Sequence, residues 1–153
     1  MRWCCLHLLA LTCLVLGQRP CALAQEKTPA ESDKGIEAQL KDVMLENIKC
    51  TEAEDLDGTM KTIHTKSLLY QPTRKQLSQL FSKHPGVKYE LISLKYLLTD
   101  GDYAIARVLQ RTTQEPPVNI KNNESDMMVA FRKEGGTWKF WTQALLEFKF
   151  LKP

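Results

Sequence analysis

Beyond residue 24 the sequence holds one cysteine, Cys50, and two histidines, His64 and His84. A single cysteine excludes an intramolecular disulfide in that part of the chain, so stability must come from a packed core. No His-x-x-x-His, no cysteine pair and no His-Glu-x-x-His occurs there, which removes the usual zinc patterns. Asp55-Leu56-Asp57-Gly58 opens like a calcium loop, but the spacing is wrong and no closing Glu follows. There is no Gly-x-Ser-x-Gly and no phosphate-binding glycine loop. No metal and no other cofactor is therefore expected. The net charge is only +3 with 25% charged residues, which gives no argument for a nucleic-acid partner.

What is present begins with a targeting pattern. Arg2 is the only charge before an apolar run from Cys4 to Leu16, which Gly17 to Pro20 break before Ala22-Leu23-Ala24. A positive start, an apolar stretch of roughly 13 residues and an A-x-A site are the marks of a secretory signal peptide. The run falls short of the ~20 residues of a membrane-crossing helix. Residues 1–24 are thus expected to be cleaved, and the product to be secreted or periplasmic with no stable membrane insertion. Cleavage takes away Arg2 and Arg19 and no acid, so most of the basic character belongs to targeting.

Residues 25–35 (QEKTPAESDKG) read as a flexible leader, and residues 36–153 as one α+β domain. Ile36, Leu40, Val43, Met44 and Ile48 follow a helical period. Cys50 closes that helix, where the dipole disfavours a thiolate, and is expected to be buried and inert; an intermolecular disulfide is the alternative. Thr51-Glu52-Ala53-Glu54 has the form of a capping box opening a second helix. Ser67 to Tyr70 reads as a short strand stopped by Pro72, and Thr73 to Gln76 as a capping box for a third helix ended by His84-Pro85-Gly86. The period then changes to strands: Val87 to Thr99, a turn at Asp100-Gly101, Asp102 to Thr113, a polar loop from Gln114 to Asp126, Met127 to Lys133, a turn at Gly135-Gly136, and Thr137 to Leu151. Helices followed by antiparallel strands argue α+β, with the helices packed in a curved sheet whose long strands bend at bulges. Asn123-Glu124-Ser125 is a glycosylation sequon placed in the polar loop.

Two segments carry a resemblance: Tyr103-Ala104-Ile105-Ala106-Arg107-Val108 after the Asp-Gly turn, and Phe131 to Trp141 (FRKEGGTWKFW). With the order of elements, these make the stretch from Ile36 to Leu151 resemble the nuclear-transport-factor-2-like superfamily, which includes polyketide-cyclase-like and ketosteroid-isomerase-like domains. The resemblance implies a cone-shaped half-barrel: a curved sheet around helices, a pocket at the wide end, and frequent homodimers through the sheet. Enzymes of that superfamily commonly use an Asp or an Asp/His pair in the pocket. Here no Asp or Glu occurs from Gly58 to Tyr89, so the usual source of a general base is vacant.

The site candidates follow. His64 and Tyr70 are the residues an acid/base mechanism would use. Tyr70, Tyr89, Gln110 and Thr142 fall on elements that can aim polar groups into a cavity, and are the candidate ligand-binding residues. Lys61, Lys66, Arg74, Lys75, Lys83 and Lys88 make the acid-free stretch basic, which would suit an anionic ligand. Leu91 to Leu98, with Trp138, Phe140 and Trp141, places apolar residues at both strand parities, which predicts a covered outer sheet face and hence a homodimer through it. The expected function is an exported, non-catalytic module binding a small apolar or anionic ligand or a partner. The alternative is an isomerase, cyclase or hydratase-type enzyme working through His64 or Tyr70.

Overall fold

The structure, a computed structural model, describes residues 29–83, 86–114 and 121–151. The expected signal peptide, the start of the leader and the His84-Pro85 helix stop lie outside the described residues. Three helices, α1 (Pro29–Glu52), α2 (Leu56–Lys61) and α3 (Tyr70–Lys83), precede four strands, β1 (Val87–Asp100), β2 (Tyr103–Gln114), β3 (Asn123–Glu134) and β4 (Thr137–Phe150). The strands form one antiparallel meander in the order β1-β2-β3-β4, curved and unclosed.

The helical stripe of the sequence is the stripe that packs. Leu40, Met44 and Ile48 are buried, and they meet Ala104, Ala106, Val108, Val129, Phe131 and Trp138 on the inner face of the sheet. Alanines on β2 let α1 approach the strands closely, and Phe131 fills the space beyond them with no exposure. The Trp138 indole donates to Gln39 Oε1 at 3.1 Å, which fastens β4 to α1 across the core.

Several boundaries differ from expectation. α1 begins at Pro29, so residues 29–35 of the expected leader are helical. Residues 51–54 do not cap a second helix; α1 runs on through Glu52, and Glu54 turns the chain with a φ of 57°. Asp55 is the true N-cap of α2, its carboxylate accepting from the Gly58 N–H at 2.9 Å. Ser67 to Tyr70 is a turn rather than a strand, and α3 already starts at Tyr70 with Pro72 in its first turn, where a missing N–H is harmless. The strand-like partner of β4 lies slightly earlier: Ile63 bridges Phe140 in parallel, with His64 N–H donating to Phe140 C=O and Phe140 N–H to Thr62 C=O, both at 2.9 Å.

Bulges interrupt the outer strand pairs. The β1–β2 register shifts across Ile92 and Leu97, and the β3–β4 register shifts across Trp141 and Leu146. The β2–β3 pair has no shift. Each extra residue resets the alternation of faces. Leu91, Leu94, Tyr96 and Phe140 therefore all pack toward the core despite their mixed parity. The outer face carries ion pairs, Arg107 gripping Asp126 with two nitrogens and Arg111 lying between Glu90 and Glu124, and it also exposes Leu98 and Tyr103.

Candidate functional site

A cavity of about 240 Å³ opens between the helices and the inner face of the sheet. Its helical wall comes from Met44, Asn47, Ile48 and Thr51 of α1, Thr59 of α2, and Thr73 and Leu77 of α3. Its sheet wall comes from Tyr89, Gln110, Ser125, Met127 and the stretch Phe140 to Gln143. The volume exceeds the ~150 Å³ that can hold one benzene-sized molecule and falls below the ~300–1,000 Å³ of drug-sized ligand sites.

On the helical wall the Thr51 and Thr59 hydroxyls are already engaged. Thr51 Oγ1 donates to Asn47 C=O at 2.7 Å, Thr59 Oγ1 to Asp55 C=O at 2.8 Å, and Asn47 Nδ2 to Thr62 Oγ1 at 2.7 Å. On the sheet wall Gln110 and Ser125 are cross-strand neighbours. Among the described residues neither side chain has a hydrogen-bond partner, so both are available to a guest. Among the described residues, Tyr89 is the single ionisable side chain of the lining. Burial, and secondarily the Glu52 carboxylate, push its phenol up, so it stays protonated and serves as a neutral hydroxyl.

Tyr89, Gln110 and Thr142, three of the sequence-derived candidates, thus line one cavity; Thr142 is exposed and stands at its rim. Tyr70 lies at the start of α3 and does not line it. His64 does not line it either. Its ring is 4% exposed, packs edge-on against Trp141 at 4.9 Å between centroids, and accepts the Lys66 N–H on Nδ1 at 3.1 Å. Glu134 Oε1 stands 3.6 Å from the same nitrogen. An ion pair there would need a proton on Nδ1, whereas the Lys66 amide needs a lone pair. The shorter contact with a fixed donor decides for the lone pair, and His64 holds the turn after α2.

Glu134 completes that turn from the sheet side. Its carboxylate accepts from Lys139 Nζ at 2.6 Å and from both the hydroxyl and the N–H of Thr65. These donors, Lys139 foremost and then the Thr65 hydroxyl, hold the carboxyl at about 2. The Ser67 hydroxyl donates to Trp141 C=O at 2.6 Å and secures the next residues. The Glu134–Lys139–Thr65 cluster leaves no mark in the sequence, since Thr65 lies 69 residues from Glu134.

Other candidates fall elsewhere. None of the six cations between Gly58 and Tyr89 lines the cavity; Arg74 pairs with Asp57 and Lys88 with Glu52. Cys50 is buried; burial and the Glu46 carboxylate that its thiol contacts raise its pKa, which makes it a poor nucleophile. Asn123 is the first residue of β3 and not a loop residue. It is 8% exposed, and its Nδ2 donates to Lys121 C=O at 3.0 Å, so the folded domain does not offer the sequon for modification. Among the described residues no group of three or more His, Cys, Asp or Glu side chains gathers to hold a metal, and no helix is long and apolar enough to cross a membrane.

The fold is shared widely. A protein of unknown function from Pseudomonas putida, described as NTF2-like, superposes with a TM-score of 0.62 at 16% identity, covering 78% of this chain and 98% of its own. A ketosteroid isomerase-like protein from Erwinia carotovora atroseptica superposes with a TM-score of 0.54 at 13% identity, covering 76% and 97%. Bd1075 of Bdellovibrio bacteriovorus gives 0.63 at 16% identity over 77% of this chain, which spans only 42% of the length of that protein. Identities at this level establish the NTF2-like fold and leave the chemistry open. No curated protein matches the chain. The sequence pattern of one family, described as the C-terminal domain of the anti-sigma-I factor RsgI9, matches residues 42–151, from within α1 to just past β4. The chain belongs to that family and has the NTF2-like fold.

Proposed function

We propose that this domain is a non-catalytic binding module, exported by its N-terminal segment, whose cavity takes a small, mainly apolar ligand carrying one polar group. The observation that carries this reading is the composition of the cavity wall. General acid/base catalysis needs positioned titratable groups of suitable pKa within reach of the substrate. The wall offers one ionisable side chain, Tyr89, held in its neutral form, beside apolar surface from Met44, Ile48, Leu77, Met127 and Phe140. The unpartnered Gln110 amide and Ser125 hydroxyl supply a donor and acceptors side by side, suited to an alcohol, ketone or amide oxygen. The family description, a domain of a regulatory factor, is consistent with recognition without turnover.

The test is a panel of single-ring and two-ring alcohols, ketones and amides, read by thermal shift with product analysis in parallel. A binder at about a hundred times its Kd adds ~2.7 kcal/mol of stability. Gln110→Leu should abolish the gain for carbonyl ligands while leaving the unliganded melting temperature nearly unchanged. Conversion of any panel member, or a gain that survives Gln110→Leu unaltered, would overturn the reading. For the compartment, the exported product should begin at Gln25; a retained Met1 would contradict export by cleavage.

A further inference from the structure

The outer edge of β4 changes character at Trp141. Up to that residue it is occupied by the segment from Thr62 to Ser67, through the Phe140 backbone bonds and the Ser67 hydroxyl. Beyond it, among the described residues, no segment pairs with β4 on the side away from β3. Leu151 N–H donates to Asn122 C=O at 2.8 Å, toward the sheet. Antiparallel alternation then turns the N–H and C=O of Phe150 and Phe148 outward. The side chains of this stretch are large, apolar and open: Leu145 is 60% exposed, Leu146 50%, Phe148 44% and Phe150 64%. The Phe148 and Phe150 rings sit edge to face at 5.0 Å and form a small aromatic platform. An apolar edge with free backbone groups is a template for another strand.

The two charges of the stretch say which strand. Glu147 and Lys149 share one face and pair with each other at 3.0 Å. We propose that this edge binds the same edge of a second copy of the chain, antiparallel, about a twofold axis passing through Phe148. In that register Phe148 faces its own counterpart and exchanges two backbone hydrogen bonds with it. Glu147 then stands opposite Lys149 of the second copy, and Lys149 opposite its Glu147. Moving the axis one residue either way sets lysine against lysine or glutamate against glutamate, which cross-strand pairing disfavours. The strand is thus complementary to itself in one register, the condition for an isologous contact. The joined sheet has eight strands and hides both aromatic platforms along the seam.

Sedimentation of the purified chain over a concentration series tests this. The unmodified chain should dimerise. Lys149→Glu, which turns both cross-strand pairs repulsive, should raise the dimer dissociation constant on the order of tenfold, and Glu147→Lys combined with Lys149→Glu should restore it. Phe148→Pro removes an outward N–H that only the second copy uses, so it should give a monomer that melts like the monomeric parent. Hydrogen exchange gives a readout independent of the variants: the Phe148 and Phe150 amides should be protected in the dimer and lose protection on dilution. A chain that stays monomeric throughout overturns the proposal. So does a dimer indifferent to the charge swap but dissociated by Leu98→Asp on the outer face, or an edge that pairs only with an added extended peptide.

Discussion

The two edges of this sheet are managed in opposite ways. Along β1, the helix that fills the core also closes the edge: Glu52 Oε1 accepts the Tyr89 N–H at 2.7 Å, and Glu37 Oε2 accepts the Tyr96 N–H at 2.9 Å. Both carboxylates come from α1, one near each end of its path along the strand, and Lys88 steadies Glu52. Along β4 only the first third is closed, by the turn that His64, Thr65 and Ser67 hold in place. The difference follows from geometry. One long helix laid in a curved sheet runs beside one edge, and a short link is all that reaches the other. Edge protection here is a by-product of core packing, and it ends where the packing ends.

That contrast can be broken by mutation. The largest effect should come from the core beneath the closed part: Phe131→Ala should cost ~3–5 kcal/mol in chemical denaturation. Phe150→Ala on the open part should change the monomer by less than about 0.5 kcal/mol. Equal effects would mean that the far part of β4 is as tightly packed as the near part. Next, Glu52→Ala leaves the half-buried Tyr89 backbone amide without its acceptor and should cost ~1–2 kcal/mol. Hydrogen exchange should speed up at Tyr89 and leave Phe131 unchanged while the domain stays folded. Smallest is Glu134→Gln, which weakens the clasp over the first third of β4. Its side chain is 25% exposed, so the loss should be only ~1 kcal/mol at neutral pH. The pH dependence has a defined sign. The folded Glu134 carboxyl titrates at about 2, below its ordinary 4.5. Its contribution is therefore complete above about 4.5 and is lost as the pH falls toward about 2. The glutamine variant should lack that part of the acid destabilisation.

Much of the fold was legible in the sequence because it depends on local period and turn chemistry. The stripe from Leu40 to Ile48, the turns at Gly101 and at Gly135-Gly136, and the long β-type runs each declare themselves within a dozen residues. What misled was also local. Thr51 to Glu54 has the letters of a capping box, yet Glu54 adopts a left-handed turn because Asp55, one residue on, is the better cap for Gly58. Ser67 to Tyr70 has strand-forming residues, but its hydroxyl finds Trp141, and the chain bends to reach it. Of the candidate site, the sequence pointed to Tyr89, Gln110 and Thr142 only as polar residues on long strands, and the same reasoning misplaced Tyr70, which starts α3 outside the cavity. The role of His64 was not legible, since its ring is fixed by Trp141, far along the chain, and by the Lys66 amide. Nor was the face of Leu94, because a bulge at Ile92 reverses parity without leaving a mark in composition.

The strand lengths hold one more consequence. The outer strands each have 14 residues and the inner strands 12, and the surplus is absorbed by the two irregularities in each outer pairing. Two longer ribbons fastened along their length to two shorter ones cannot lie flat; the mismatch must be taken up by curling. The hollow under the sheet is in this sense a matter of arithmetic. A version trimmed by four residues, at Ile92, Leu97, Trp141 and Leu146, would zip together evenly and leave no room for a guest.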